Sequence, residues 1–570
     1  MQNESTFTKF DNLEILKDPV KPYMYSFKYP FDYELLEFCR KIKNSVGYKN
    51  FNFNNGCWRF NNIRYLKIIT DRYPETKINP NMNIDIEAFI KEAKKTRIKE
   101  EKAKELKNAK TSDIEIKGIK GELYPYQKVG VEFFVNNNGK AILADVMGTG
   151  KSLQALAYVV HKKIKKTLVI CPASAKFVWE DEVKKWTDLK SYIIDSKSEL
   201  SLDIIDKHDI FIINYDIIKK FFSILSKVKC DCLICDEFHY IKNIKAQRTK
   251  FVKALAKRAQ SLLLLSGTPF LNRPVELFNG LNLMDPYNWN DWYIYTKKYC
   301  DGKRTRWGWD ARGASNIKEL HERINRYFLR RTKDEVLKEL PPKRFIIRSV
   351  NLEEPYTGQY QLAKNSFVEY LKDIKQKDVD KKSAQASKLV KLGELKQIAS
   401  NGKVWAAKEI IQSILDAGEK VVLFSSYNGP LEELKKHFGT TAVVLTGKTK
   451  NEDRRGMVQE FQNNKNIKIF LGGIKSAGIG ITLTAATNVI FLDFSWTPAD
   501  HLQAVDRIHR IGQKADSITI YQLVSKGTID EHVSKILYEK QKIFHQLIEK
   551  ENASDSNIIN SVLRELEKDF

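Results

Sequence analysis

Five short apolar runs, KAILAD, KTLVICP, HDIFIINY, CDCLICDE and SLLLLSGTP, recur between residues 140 and 269 with helical stretches between them. Continuous apolar strands alternating with helices predict a parallel sheet flanked by helices. A second series, KVVLFSS, TAVVLTG, IKIFLGG, NVIFLDFS and SITIYQLV, repeats the design from about 420 to 525. Two α/β lobes are therefore expected, at 113–285 and 401–545. Between them, 286–400 is Trp-rich and basic without comparable strand runs, and reads as helical insertions plus a linker. Residues 1–84, rich in aromatics and Asn, read as a small α+β domain. Ile84–Lys110 (IDIEAFIKEAKKTRIKEEKAKELKNAK) has good helix formers and few apolar anchors, so a connector helix is placed at 85–112 and a helical tail at 546–570.

A chain of 570 residues has room for roughly three to five domains. With 42% hydrophobic and 29% charged residues it can bury several cores, which excludes a disordered or collagen-like chain. The formal charge of +25 favours polyanionic partners, nucleic acid first among them. Seven scattered cysteines and an amino terminus without a charged-then-apolar leader point to free thiols in a reducing compartment. No run of 18 apolar residues occurs, so no membrane partner is expected.

The run Ala141–Ala144 leads into DVMGTGKS (Asp145–Ser152) and then a helical segment. A strand, a Gly-containing turn and a helix start direct backbone N–H groups and the positive helix end at a phosphate. Gly148 and Gly150 admit close backbone approach, Lys151 would reach the β and γ phosphates, and the Ser152 hydroxyl would ligate Mg²⁺. Asp145 replaces the first Gly of the strict G-x-x-x-x-G-K-[ST] pattern. The alternative for this segment is a Gly-rich surface turn before an amphipathic helix. Asp236 and Glu237 end the CLIC run; a carboxylate pair there would hold the metal (Asp236) and polarise an attacking water (Glu237). Plain loop acids are the alternative. Cys230, Cys232 and Cys235 on the same run divide between its two faces and read as core thiols.

Read together, LYPYQ (Leu123–Gln127), CPASAKFVWEDEVKKW (Cys171–Trp186), LSGTP (Leu265–Pro269), FLRRTKDEVLKELPPK (Phe328–Lys343) and QAVDRIHRIGQ (Gln503–Gln513) closely resemble the Swi/Snf-type family of superfamily-two, double-stranded-DNA translocases. The resemblance spans about 120–540 and implies two RecA-like lobes. It implies that Gln127 contacts adenine of ATP, with Asp145, Met147, Gly148, Thr149, Gly150, Lys151 and Ser152 forming the rest of the cradle. Ser266, Thr268 and Gln503 would couple hydrolysis to lobe movement, and Arg507 and Arg510 would reach the nucleotide from the second lobe. Those two arginines, at i and i+3, share a helical face and can neutralise γ-phosphate charge across a cleft. The chain departs from the family at Val146, usually Glu, and in GIKSAGIGITLT (Gly473–Thr484), where Ser476 and Gly478 would contact DNA.

A finer resemblance, to the annealing-helicase branch that remodels stalled replication forks, is carried by YCDGKRTRWGWDARGASNIKEL (Tyr299–Leu320). Phe31–Pro74 resembles that branch's HARP domain. In its own terms that stretch gives an amphipathic helix near Tyr33–Ile42, then two aromatic strands joined by Asn-Asn-Gly. Exposed Phe53, Trp58 and Phe60, interleaved with Lys49, Arg59 and Arg64, could stack on unpaired bases, with Trp58 and Arg59 singled out as DNA contacts. The alternative is a small domain whose aromatics are its core. The implied function is ATP-dependent, Mg²⁺-dependent translocation on double-stranded and branched DNA by a monomer, reannealing strands or regressing forks. A single-stranded-DNA-binding protein is the expected protein partner. A remodeller of protein–DNA complexes and a DNA-structure-binding scaffold with a weak motor are the rivals. The expected setting is intracellular: a bacterial or viral-host cytoplasm, or the nucleus of a eukaryote.

Overall fold

The structure is a computed structural model. It describes residues 111–535 apart from 229, 268–273, 287, 307, 338, 377–380, 477–480 and 497, and before them 14–17, 25–28, 35–37, 39–40, 51–54, 57–60, 77–78, 98 and 101–110. Thr268, Gly478, the tail at 546–570 and most of the connector lie outside the described residues. The chain divides into two compact units. One combines residues 1–106 with 289–326, and the other combines 107–288 with 327–570.

In the first unit, β1 (Glu14–Lys17), β2 (Tyr25–Lys28), β3 (Phe51–Asn54), β4 (Cys57–Phe60) and β5 (Lys77–Ile78) form one sheet in the order β3-β4-β2-β1-β5. The expected hairpin is present: β3 and β4 are antiparallel, Asn54 pairs with Cys57, and Asn55-Gly56 makes the connection in sequence. The expected exposure is not. Trp58 is 2% and Phe60 0% exposed, because strand alternation places both on the face where they meet Phe27 of β2. Arg59, on the other face, is half-buried. Of the three aromatics only Phe53 is exposed, so Trp58 belongs to the core and has no open ring face for a base.

The second unit holds both lobes. β6 (Lys140–Leu143), β7 (Thr167–Cys171), β8 (Ser191–Ile194), β9 (Ile210–Asn214), β10 (Cys232–Cys235) and β11 (Ser261–Leu265) are parallel. In the insertion that follows, β12 (Lys303–Thr305) and β13 (Gly308–Asp310) form a hairpin belonging to the first unit. β14 (Phe328–Leu329) then joins the lobe's edge, giving the order β14-β6-β11-β10-β7-β9-β8. All five predicted strands are here. They are the apolar centre of the sheet, and the two additions are its edges.

The second lobe comprises β15 (Lys343–Val350), β16 (Val421–Ser425), β17 (Ala442–Leu445), β18 (Ile469–Gly473), β19 (Asn488–Phe491) and β20 (Ile518–Ser525), parallel in the order β15-β20-β19-β16-β18-β17. Besides β12, β13 and β14, strand β15 also falls within 286–400, which reads in sequence as helical insertions and a linker. It lies at an edge with its first seven residues exposed, so no apolar run marks it, and it brings residues from 343 onward into the second sheet. Helices Tyr356–Gln376 and Lys381–Asn401 do fill the remainder as expected. Apolar clusters cover both faces of this sheet, one around Phe424, Phe470 and Phe491, the other around Leu423, Leu471 and Ile490. Cys171, Cys232 and Cys235 are buried free thiols.

Candidate active site

Parallel sheets place functional side chains at the carboxyl ends of their strands, and three such ends converge here. After β6 the chain turns through Gly148 and Gly150, both at positive φ, and Gly150 caps helix Lys151–His161. These are positions only glycine fits. A Cβ on Gly148 would lie 2.9 Å from Arg510 Cβ, and one on Gly150 would lie 2.4 Å from Gln127 Nε2. A Cβ on Gly267, after β11, would lie 2.3 Å from Met147 Cγ and 3.3 Å from Lys151 Nζ.

The loop is braced from within. Thr149 is buried and donates from Oγ1 to Val146 O (2.8 Å), while its own carbonyl accepts from Tyr126 Oη (2.8 Å) and Gln127 Nε2 (3.1 Å). Gln127 Oε1 in turn accepts from Tyr124 N, which ties the loop to the start of helix Pro125–Asn136. Lys151 Nζ donates to the carbonyls of Asp145 (2.8 Å) and Val146 (3.3 Å). Burial pushes its pKa down, against the pull of Glu237, Asp145, Asp236 and Asp506. Ser152 is half-buried in the first turn of the same helix.

Asp145 has a different occupation from the glycine it replaces. Its carboxylate is fully buried and takes a two-pronged contact from Arg331, Nε to Oδ1 at 3.1 Å and Nη2 to Oδ2 at 2.5 Å. Arg331 also donates to Tyr126 O and to Gln154 Oε1. One guanidinium thus joins the helix before the loop, the loop and the helix after it. Sequence reasoning quoted FLRRTKDEV but gave Arg331 no role; the replacement of a loop glycine by a carboxylate was the available signal, since a buried acid requires a cation.

Past β10, Asp236 accepts from Trp179 Nε1 through Oδ2 (2.9 Å) and from Glu237 N through Oδ1 (3.0 Å). Glu237 stands at φ 48°, a left-handed turn held by Tyr215 Oη on Asp236 O (2.8 Å). Ser266 Oγ, at the end of β11, donates to Glu237 Oε2 (3.2 Å). His239 Nδ1 is 3.3 Å from the same oxygen without hydrogen-bond alignment. Burial raises the pKa of Asp236, and the neighbouring Glu237 adds to the rise. Burial also pushes Glu237 up, but His239, Lys151 and Arg507 outweigh it and hold Glu237 below its ordinary range. Of the two carboxyl groups, Glu237 is thus the one whose charged form its neighbours favour more, and a carboxylate is the form that accepts a proton.

The second lobe meets this site through the segment after helix Pro498–Val505, on which Gln503 lies half-buried. Arg507, 7% exposed, donates to Met147 Sδ (3.3 Å); burial and the charge of Arg510 lower its pKa to about 10. Arg510 packs over Gly148 and donates to Ile481 O (3.3 Å). Lys333, following β14, reaches across to Asp506 Oδ1 (2.6 Å) and His509 O. A second bridge between the lobes pairs Arg455 with Asp181 and Glu180. Ser476 lies apart from this cluster, donating to Gly473 O at the end of β18, while Arg454 holds its carbonyl.

Comparison with known proteins finds two matching domain families. The SNF2-related domain matches residues 126–404 and the helicase conserved C-terminal domain matches residues 403–512. The SWI/SNF-related matrix-associated actin-dependent regulator of chromatin subfamily A-like protein 1 of Xenopus laevis is 30% identical over 512 residues, covering 87% of this chain and 51% of the relative. Its Caenorhabditis elegans homolog is 33% identical over 75% of this chain and 62% of its own. The DNA annealing helicase and endonuclease ZRANB3 of Homo sapiens is 30% identical over 75% of this chain and 40% of its own. The chain thus spans about half the length of these curated relatives. A solved Sulfolobus solfataricus SWI2/SNF2 ATPase core in complex with dsDNA is 28% identical, covering 80% of this chain and 98% of that one, with a TM-score of 0.38. The phosphate loop, the carboxylate turn and the two arginines of the second lobe all fall within the two matched domains, and the chain belongs to the SNF2-related family.

Proposed function

We propose that this protein is a DNA-stimulated ATPase that translocates on duplex DNA and reanneals strands or remodels branched DNA such as stalled forks. The observation that carries the reading is the meeting of Arg507 and Arg510 from the second lobe with Met147 and Gly148 of the phosphate loop, whose lobe also holds the Glu237 carboxyl on Ser266 Oγ. The glycine cradle and Lys151 fit a nucleoside triphosphate. The donors suit Mg²⁺: Ser152, in the first turn of helix Lys151–His161, and Asp236, just past β10, offer oxygen atoms and would hold the ion together with phosphate oxygens. Bound there, the metal would neutralise charge on the β and γ phosphates.

The chain's own residues do the rest. Lys151 exchanges the carbonyls of Asp145 and Val146 for phosphate oxygens. Glu237 orients water and accepts its proton, and the Ser266 hydroxyl on the same carboxylate passes the change at that site to β11. Arg507 and Arg510 stabilise charge on the transferring group and close the lobes. Groove contacts to phosphates carry no sequence information, so movement along DNA is sequence-independent. The +25 charge supports a nucleic-acid partner, and similarity to a DNA annealing helicase supports a DNA substrate on which strands are reannealed.

Phosphate release measured with single-stranded, duplex and forked DNA tests the proposal. Duplex should stimulate turnover and forks more so, while Lys151→Ala and Glu237→Gln should abolish it. A wild-type turnover indifferent to every DNA would leave the scaffold rival in its place.

A further inference from the structure

The insertion Trp289–Arg326 belongs to the same compact unit as residues 1–106. Its helix Trp292–Tyr299 begins with Asp291, whose side chain accepts from Tyr293 N (2.8 Å) and Ile294 N (3.0 Å). One face of the helix is core: Tyr295 and Tyr299 are buried with their rings against Trp289. The other face carries Tyr293 and, one turn on, Lys297, both exposed. Tyr293 is 60% exposed, yet it is not loose. Its ring makes T-shaped contacts with Trp309 on β13 (5.3 Å, 79°) and with Trp292 (5.1 Å, 83°), and Trp309 is itself anchored by Nε1 donating to Thr296 Oγ1 (2.9 Å). Arg304 is the cross-strand partner of Trp309 and is also exposed.

The acids nearest this ring are engaged: Asp291 caps the helix through two backbone N–H groups, and the others are paired with cations. Asp301, Asp310 and Glu319 pair with Lys303 (3.1 Å), Arg312 (2.9 Å) and Lys298 (2.5 Å), whereas Lys297 and Arg304 make no ion pair among the described residues. An exposed ring held by two tryptophans, with Lys297 one helical turn on and Arg304 across the strand from Trp309, suits a base stacked on the ring with its phosphates against the cations. Paired bases inside a duplex do not present their faces, so the fitting occupant is an unpaired strand.

We propose that Tyr293, Lys297 and Arg304 form a contact site for an unpaired nucleic-acid strand. The proposal deepens the branched-DNA reading, on which it rests for the source of that strand. It also moves the base-stacking surface from the β3–β4 hairpin, where Trp58 and Phe60 are core, to the insertion.

Binding of the full chain to a labelled oligothymidine, set against a duplex of equal length, is the test. Stacking of one base is worth about 1–3 kcal/mol, so Tyr293→Ala should weaken oligothymidine binding roughly 5- to 150-fold with little change on duplex, and Tyr293→Phe should restore it. Lys297→Gln with Arg304→Gln, which leaves the ring in place, should reduce the log–log salt slope by about 0.7 for each phosphate that the two cations neutralise in the wild type. Duplex-stimulated ATPase should stay at the wild-type level in every variant. Wild-type oligothymidine affinity in Tyr293→Ala, or an unchanged salt slope in the double variant, overturns the site. Displacement of the oligonucleotide from wild type and Tyr293→Ala alike by polyglutamate would do so too, since it marks a patch that reads negative charge alone. Should the wild type bind oligothymidine through Tyr293 yet hydrolyse ATP without regard to DNA, the motor reading falls and this site stands.

Discussion

Arg331 shows how much of the phosphate loop's shape depends on one side chain far along the chain. It is 4% exposed, and its ion-pair partner, Asp145, is buried as completely. Removing one member of such a pair leaves the other charged and desolvated, at a cost of about 3–5 kcal/mol. Arg331→Met should therefore lower the thermal midpoint of the first lobe and raise the ATP concentration needed for half-maximal turnover, because Thr149 and Gly150 lose their scaffold. Lys cannot reproduce the fork that spans Asp145, Tyr126 and Gln154, so Arg331→Lys should fall between. Pairing Arg331→Met with Asp145→Leu should recover most of the stability without the activity. Recovery of both would show that the ion pair has no part in placing the loop.

At the scale of elements, the β3–β4 hairpin decides between two readings of one aromatic-rich stretch. Trp58 beneath Phe27 and Phe53 is a core residue, so Trp58→Ala should cost about 3–5 kcal/mol in the N-terminal sheet and speed hydrogen exchange along β2 and β4. Phe53→Ala, at an exposed position, should change both far less. A Trp58→Ala variant with unaltered exchange and impaired DNA binding would restore the stacking role. The sequence showed where this hairpin was, but not which way it faced. Alternation assigns Trp58 and Phe60 to one face and Arg59 to the other, and only the pairing with β2 reveals which face is covered. The same limit applies elsewhere. Ten strands of the two lobes were legible as continuous apolar runs, the mark of strands covered on both faces. Edge strands β8 and β15 lack that burial, and β14 is only two residues long, so none of the three carries the signal. In the site, Lys151, Asp236 and Glu237 were legible from their places at strand ends. Arg331 and Lys333 were not, because their partners, 186 and 173 residues away, are brought close by the fold alone.

For the motor as a whole, the question is what holds its lobes together. Among the described residues, two ion pairs do so at different depths, alongside the contacts of Arg507 and Arg510. Arg455 with Asp181 is half-exposed, screened by salt and worth little on its own. Lys333 with Asp506 is nearly buried, and Lys333 also takes the carbonyl of His509, so it gathers the segment carrying Arg507 and Arg510 toward the loop. Burial lowers the pKa of Lys333, and Asp506 opposes that. Loss of Asp506 would leave the ammonium desolvated beside Arg510, which favours separation of the lobes. Asp506→Asn should accordingly broaden the distance between fluorophores placed one on each lobe, at any salt concentration, whereas Asp181→Asn should do so weakly and only at low ionic strength. Turnover should follow the distance, since on the proposed reading Arg507 and Arg510 act across the cleft. Nucleotide affinity should follow it less, because Lys151, Gln127 and the glycine turns all lie on the first lobe. An Asp506→Asn protein with the wild-type distance distribution and normal turnover would mean that closure rests on the arginines' contacts with Met147 and Gly148 instead.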